Sequence, residues 1–265
     1  MLKRVAMFVL LLTVAFGATA QEQNEKKESK FWFSAGADFA SNYMWRGYDQ
    51  SYTGNMFDPS VQYGVTLGYG RFFLDLWANN SLMSTYNEFD MTIGYEHKGL
   101  RITVYDVYCG LTKEMPHFFD KDTHNLTATI DYTFFDRLRL HWGTTFIHSS
   151  DFIEKEDGTR RRAFSSYFEV SYTQPILLFF DLEITAGASP WTGPFWCAGP
   201  RVMQLDGSYA LDFDNIPTGF NVTNLSLTIK KDFDLRICEI PVSLGYTYNP
   251  TTNRHYALLK AGVWF

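Results

Sequence analysis

The stretch HSSD, His148 to Asp151, is where this sequence comes nearest to a catalytic constellation: an imidazole, two hydroxyls and a carboxylate in four residues. Acyl transfer and hydrolysis need a nucleophile within hydrogen-bond reach of a base, with the base oriented by a third group. In an extended segment neighbouring residues point to opposite faces, so His148 and Ser149 do not readily form that pair. Polar residues at a rim explain the cluster better. His97, His117, His124 and His255 fall in loops, turns or strand ends without the spacing of a metal motif. Cys109, Cys197 and Cys238 are odd in number and far apart, which argues against a disulfide framework and against zinc. The expectation is a protein without enzyme chemistry, cofactor or metal.

Ionisable residues offer a second kind of chemistry, because they recur with period 2. In Thr127 to Phe134, Thr127, Thr129, Asp131 and Thr133 share one face, and Ala128, Ile130, Tyr132 and Phe134 the other. Asp181, Glu183 and Thr185 likewise oppose Phe180, Leu182, Ile184 and Ala186, while Leu225, Leu227 and Ile229 oppose Asn224, Ser226 and Thr228. If the polar parity faces a lumen, the inward acids are Asp38, Asp75, Asp90, Asp131, Glu169, Asp181, Glu183 and Glu239. The inward bases are Arg46, Arg101, Arg139 and Lys260, with His141 beside them. Asp38, Arg46, Arg101, Asp131, Arg139, Asp181 and Glu183 are the candidate lumen-lining residues. A water-filled pore with this surplus of acids predicts weak cation preference. A ladder of mutual salt bridges would instead close the interior.

The elements that must position these residues are strands. About twelve alternating tracts occur, at 31–48, 59–69, 71–79, 88–96, 100–110, 124–134, 138–147, 164–173, 177–188, 220–230, 235–248 and 254–265. Alternate connections are short: GYGR, HKG, FDR, QPI and KDFD. Those between are mostly longer, at 49–58, 80–87, 111–123, 149–163 and 189–219, with 249–253 the short exception. Such asymmetry predicts an all-β, antiparallel, up-and-down transmembrane β-barrel of about twelve strands. The 24 Phe, 16 Tyr and 7 Trp exceed what a soluble core needs and suit aromatic girdles at two membrane interfaces. Twelve strands lie between side-chain-filled eight-stranded barrels and open porins, so a narrow or partly plugged lumen is favoured slightly over an open one.

Lys3 and Arg4, the apolar run Val5 to Phe16 and the Ala18-Thr19-Ala20 site read as a secretory signal peptide over 1–20. QEQNEKKESK, 21–30, reads as a periplasmic linker, and 31–265 as the barrel. Without the signal, 21 basic residues face 29 acidic ones, a net charge of −8 that argues against a nucleic-acid partner. The expected location is the cell outer membrane, with outer-membrane lipid and small solutes as partners. In LLKAGVWF, Ala257, Leu259, Ala261, Val263 and Phe265 form one apolar face, as a closing strand requires. Phe265 is the expected assembly signal for the outer-membrane insertion machinery, by resemblance to barrels in general.

SPWTGPFWCAGPRV, in the longest connection, holds Trp191, Phe195 and Trp196 between stiffening prolines. These three residues are expected to form a constriction loop folded inward; a rim gripping a hydrophobic ligand and a self-packed cap are the alternatives. Cys197 reads as a packed thiol. EKEDGTRRR, Glu154 to Arg162, reads as a solvated hairpin tip, and KKDFD, Lys230 to Asp234, as a polar turn.

SNYMWRGYDQS, Ser41 to Ser51, resembles the S-x-Y-x-x-R-G-x-x-Q-S signature of the TorF-like porin family. Ser41, Tyr43, Arg46, Gly47, Gln50 and Ser51 match, and Tyr48-Asp49 replaces Ile-Ser. SPWTGPFW, GFNVTNLSLTIKKDFDL and YNP add to a likeness with small outer-membrane barrel proteins of Bacteroidetes. The resemblance implies an outer-membrane barrel with porin-like activity, and supplies no substrate. On parity alone Arg46 lies on the polar face of strand one with Ser34, Asp38 and Asn42. Pairing with a lumenal carboxylate is favoured over contact with solute. The function expected is a passive channel for small solutes; the alternatives are a closed structural or ligand-holding barrel and, less favoured, a lipid-modifying enzyme at the rim.

Overall fold

The computed structural model describes residues 30–50, 57–83, 86–110, 124–147, 151–155, 157–177, 179–194, 201–203, 209–211 and 217–265. Twelve long strands make one antiparallel sheet: β1 (Phe31–Ala40), β4 (Ser60–Tyr69), β5 (Phe72–Ser81), β6 (Asn87–His97), β7 (Leu100–Gly110), β8 (His124–Phe134), β9 (Leu138–Ile147), β12 (Ser166–Ile176), β13 (Phe180–Ser189), β16 (Asn221–Asp234), β17 (Glu239–Asn249) and β18 (Arg254–Trp264). Three small hairpins stand in the connections: β2 (Met44–Trp45) with β3 (Tyr48–Asp49), β10 (Phe152–Glu154) with β11 (Arg160–Arg162), and β14 (Arg201–Met203) with β15 (Tyr209–Leu211).

The sheet closes on itself because β18 pairs with β1, from Gly36 opposite Trp264 to Ala40 opposite Lys260. The seam continues past both strand ends. Phe265 exchanges two backbone bonds with Ala35, and the Ser41 amide donates to the Leu259 carbonyl at 2.8 Å. Closure leaves no unpaired sheet edge, which hydrocarbon would not tolerate.

Turn chemistry sets one end of the barrel. Lys98 and Gly99 both have positive φ, the two-residue type I′ geometry whose twist matches the flanking strands. Gly70–Arg71 and Phe135–Arg137 are similarly tight. Two expected turns prove to be strand. QPI belongs to β12, where Pro175 lies beyond Tyr172, the last β12 residue paired with β9, so its missing N–H breaks no ladder bond there. KDFD belongs to β16, which after Lys230 pairs only with β17; the turn is 235–238. A strand overhanging the wall stands in water, and a polar sequence suits it.

The alternation resolves as the sequence pattern predicts. Leu225, Leu227 and Ile229 are exposed on the outside, as are Ile93, Ile184, Leu244 and Leu259, while Thr127, Thr129 and Thr145 are buried within. Phe31, Phe33, Tyr69, Phe72, Phe134 and Phe180 gather at the short-turn end, and Phe164, Phe168 and Tyr246 toward the long-loop end. An apolar belt between two aromatic girdles, around a polar interior, is a transmembrane barrel. Strand one is shorter than the expected 31–48: it stops at Ala40, and 41–50 folds away. The 1–20 signal segment and all but Lys30 of the linker lie outside the described residues.

Leu227 sits mid-strand on the belt and is 49% exposed. Replacing it with Arg is expected to cost about 2–4 kcal/mol in urea unfolding from lipid vesicles, as for a cation at the bilayer midplane. A cost below about 0.5 kcal/mol would place that face away from lipid.

Candidate constriction site

The SNYMWRGYDQS segment forms the centre of the site. After β1 the chain turns into the barrel instead of outward. Asn42, Tyr43 and Gln50 are buried, and the Gln50 amide bonds the Tyr43 carbonyl at 2.8 Å. At the tip of the β2–β3 hairpin Arg46 and Gly47 have φ of 52° and 86°. This is again a type I′ turn, costly for a residue with a Cβ at its first central position. The surroundings hold Arg46 there.

Arg46 is rooted beside β1 and β4 but its side chain meets the opposite wall. It lies 3.2 Å from Glu169 on β12 and 3.0 Å from His141 Nε2 on β9, with its guanidinium 4.8 Å from the centroid of the Tyr167 ring. His141 Nδ1 is 2.9 Å from Asp131, to which Arg139 donates at 2.8 Å; Arg139 also stands 3.7 Å from Glu169. Tyr167 donates to Glu169 at 2.7 Å, and Asn224 donates to the same carboxylate at 3.3 Å. Buried charges are tolerated when paired and hydrogen-bonded in this way.

The backbone is shaped for the hairpin. Between β13 and β16 the register slips at Gly187 and Ala188, leaving Thr223 as an extra residue, a bulge. The bulge presents Thr223 to the tip: its hydroxyl donates to the Arg46 carbonyl at 3.2 Å, and Asn249 donates to the Gly47 carbonyl at 3.0 Å. A Cβ at Gly47 would overlap the Thr223 carbonyl oxygen, and one at Gly187 would overlap the Tyr167 hydroxyl. On the remaining side Tyr43 donates to Glu88 on β6 at 2.7 Å and packs on Trp77 of β5, ring centroids 5.4 Å apart. The hairpin thus spans the lumen and touches β5, β6, β9, β12, β16 and β17.

Below it, toward the short turns, a polar cavity of about 390 Å³ opens, lined by Arg46, Arg101, Asp131, Arg139, His141 and Tyr105, among others. Of the residues singled out from sequence, Arg46, Asp131 and Arg139 belong to one network, which His141 and Glu169 complete. Arg46 reaches it from a turn and not, as parity suggested, from strand one. Asp38 lies in a separate wall pair, 2.9 Å from Lys260 and 3.0 Å from the Trp264 indole N–H. Glu183 pairs with Lys230 at 2.9 Å, and half-buried Asp181 stands opposite Lys230 across the ladder. Arg101 is at the short-turn mouth, 2.9 Å from Glu96.

Trp191 corrects the expected constriction loop. Its indole N–H donates to the Phe164 carbonyl at 3.1 Å and its ring stands 5.9 Å from that of Trp142, which points outward on β9. Trp191 therefore joins the outer girdle, because a large ring beside lipid needs no lumenal partner. Phe195, Trp196 and Cys197 lie outside the described residues, as do His117 and the His148, Ser149 and Ser150 of HSSD. Asp151 is held by the Ser165 hydroxyl and amide; burial pushes its carboxyl up from its ordinary value. At the rim His124 Nδ1 lies 2.6 Å from Asp106, on the outward parity of β7 and β8. Tyr43, Glu88, Tyr167 and Thr223 were missed from sequence. Tyr43 and Thr223 stand in segments that carry the resemblance, SNYMWRGYDQS and GFNVTNLSLTIKKDFDL, while Glu88 and Tyr167 carry no such signal.

No family model matches the chain, and no curated protein matches it. Among solved structures it is similar to the NanC porin, with 9% identity and a TM-score of 0.45 over 88% of this chain and 99% of that one. It is similar to the KdgM porin at 8% identity and a TM-score of 0.44, over 88% and 98% of the two chains. An outer-membrane channel from Pseudomonas putida F1 shares 11% identity at a TM-score of 0.42, over 91% and 99%. Likenesses this distant say nothing about what the interior of this barrel recognises.

Gly47→Ala is expected to force the hairpin from its seat. Trypsin added to the folded barrel should then cleave after Arg46, a bond expected to be protected in the unsubstituted protein. Equal protection in both, read by mass spectrometry, would contradict the tight seat.

Proposed function

We propose that this chain is an outer-membrane channel for small hydrophilic solutes, narrowed at mid-height by the 41–50 hairpin. The observation that carries the reading is a closed, lipid-facing barrel whose polar interior opens into a charged cavity ending at Arg46. Water and polar solutes are stabilised along such a wall, and a constriction of side chains sets what passes. The resemblance to the TorF-like porins supports it. Tyr43, Arg46, Gly47 and Gln50 of that signature all belong to the inward hairpin, so the motif reads as a constriction element. Four of the eight inward acids that suggest cation preference are matched by bases: Asp38 by Lys260, Asp131 by Arg139, Glu169 by Arg46 and Glu183 by Lys230. This pairing weakens the expected cation preference without reversing it. Catalysis forms no part of this reading.

The Arg46–Glu169 contact across the lumen favours a second reading, a barrel closed at rest that holds a ligand or only structure. Conductance separates the two. In planar bilayers the refolded protein is expected to conduct, and Arg46→Ala to raise single-channel conductance roughly twofold or more by clearing the constriction. Absence of conductance from both proteins across salts and voltages would overturn the channel.

A further inference from the structure

The inner wall at the short-turn end carries an arc of aromatic rings. Trp32 on β1 lies over Gly68 of β4, Trp264 on β18 over Gly36 of β1, and Phe73 on β5 over Gly94 of β6. In each case a Cβ on the glycine would enter the ring, so the absence of a side chain lets the ring lie against the wall. All three are on the inward parity: Trp264 bonds lumenal Asp38, and Trp32 and Phe73 alternate with outward Phe31, Phe33, Phe72 and Leu74. The Trp32 indole N–H is anchored to the Gly70 carbonyl at 3.3 Å, yet the residue is 41% exposed. A ring with one face on the wall and the other open is a stacking platform.

Arg101 continues the arc. Its guanidinium sits 4.3 Å from the centroid of the Phe73 ring, and it also lines the 390 Å³ cavity. There Arg101 and Arg139 stand beside Glu96 and Asp131, among the hydroxyls of Thr92, Thr103, Thr129 and Thr133. The charges are already paired, at 2.9 Å for Arg101 with Glu96 and 2.8 Å for Arg139 with Asp131. Each pair is close to neutral as a unit and offers an ionic solute little uncompensated charge. A neutral polyol accepts from the guanidinium and donates to the carboxylate while the pair stays in place. Phe73 is buried beneath Arg101, so the open ring face is that of Trp32, at the same end of the inner wall as the cavity. An open ring face together with such paired donors and acceptors matches a pyranose, with C–H groups on its face and hydroxyls at its edge.

We propose that this arc and cavity form a binding track for neutral saccharides. The proposal rests on the channel reading for transport, though the track itself does not require an open constriction. Arg101 and Trp32 are its central contacts, one through hydrogen bonds and the other through stacking.

The test uses the refolded full barrel in a planar bilayer with maltotriose as the neutral probe and citrate as the anionic one. Maltotriose added on the short-turn side is expected to reduce ion current saturably, with citrate much weaker. Trp32→Ala should raise the half-blocking concentration about tenfold, the loss of one stacking face. Trp32→Phe should restore part of the block. A conducting wild type blocked by citrate and indifferent to maltotriose overturns the saccharide track and leaves the channel standing. If the protein does not conduct, the channel fails, and tryptophan fluorescence decides the track separately. A saturable change with maltotriose that weakens in Trp32→Ala supports it, and no change overturns it. A heat-modifiability gel confirms that each variant is folded, and Arg101→Gln, expected to weaken block while leaving Trp32 in place, replaces Trp32→Ala if that variant is not.

Discussion

In hydrocarbon no water is available to a free amide or carbonyl, so the sheet must meet itself, and every other feature of this molecule follows from that meeting. Pairing β1 with β18 settles which side of each strand faces lipid, because a shift of one residue would turn every side chain to the opposite face. Thr103 against Thr129 at 2.6 Å, Thr127 against Thr145 at 2.9 Å and Ser171 against Thr185 at 2.9 Å are lumenal consequences of that register. These hydroxyls satisfy one another across neighbouring strands, which lets a polar wall exist without water at each position.

The closed wall leaves a cavity that side chains of twelve strands do not fill, and the SNYMWRGYDQS hairpin occupies its middle. It is held by chemistry from almost every direction: an ion pair and an imidazole for Arg46, a bulge for Gly47, a carboxylate for Tyr43. The left-handed backbone at Arg46 is unfavourable taken alone and is retained because the surrounding contacts over-determine it. Removing Arg46 would leave Glu169 buried beside fewer cations, so hairpin and wall are energetically one unit. The charge of a hairpin held this way is compensated locally, by Glu169 and the Asp131–Arg139 pair, instead of projected along the lumen.

Much of the fold was legible in the sequence because period 2 is a strong signal when one face must be apolar throughout. Leu225, Leu227 and Ile229 announced their orientation, and Lys98–Gly99 its turn. The errors have physical causes. The extension of β16 through KKDFD passed for a turn because a strand outside the membrane has no apolar face to display. QPI passed for a turn because proline is costly only where a neighbour needs its N–H, and β9 has already stopped pairing there. The alternation runs on to Tyr48 because the hairpin continues it after the chain has left the wall at Ala40. The network around Arg46 was partly visible, since Asp131, Glu169, Arg139 and His141 all carry inward parity. That Arg46 meets Glu169, 123 residues away, depends on the position of β12 opposite β1 in the closed ring, which no local pattern encodes. Trp191 was misplaced for a related reason: aromatic character signals burial in protein and in lipid alike.

The orientation of the wall is tested most directly by spin labels placed singly along β16 at positions 225 to 230, in protein whose native cysteines have been replaced, with the barrel in lipid vesicles. Labels at 225, 227 and 229 should relax with lipid-soluble oxygen, and labels at 226, 228 and 230 with a water-soluble nickel chelate. The reverse pattern, or accessibility that does not alternate, would contradict a closed barrel with its apolar face in the membrane.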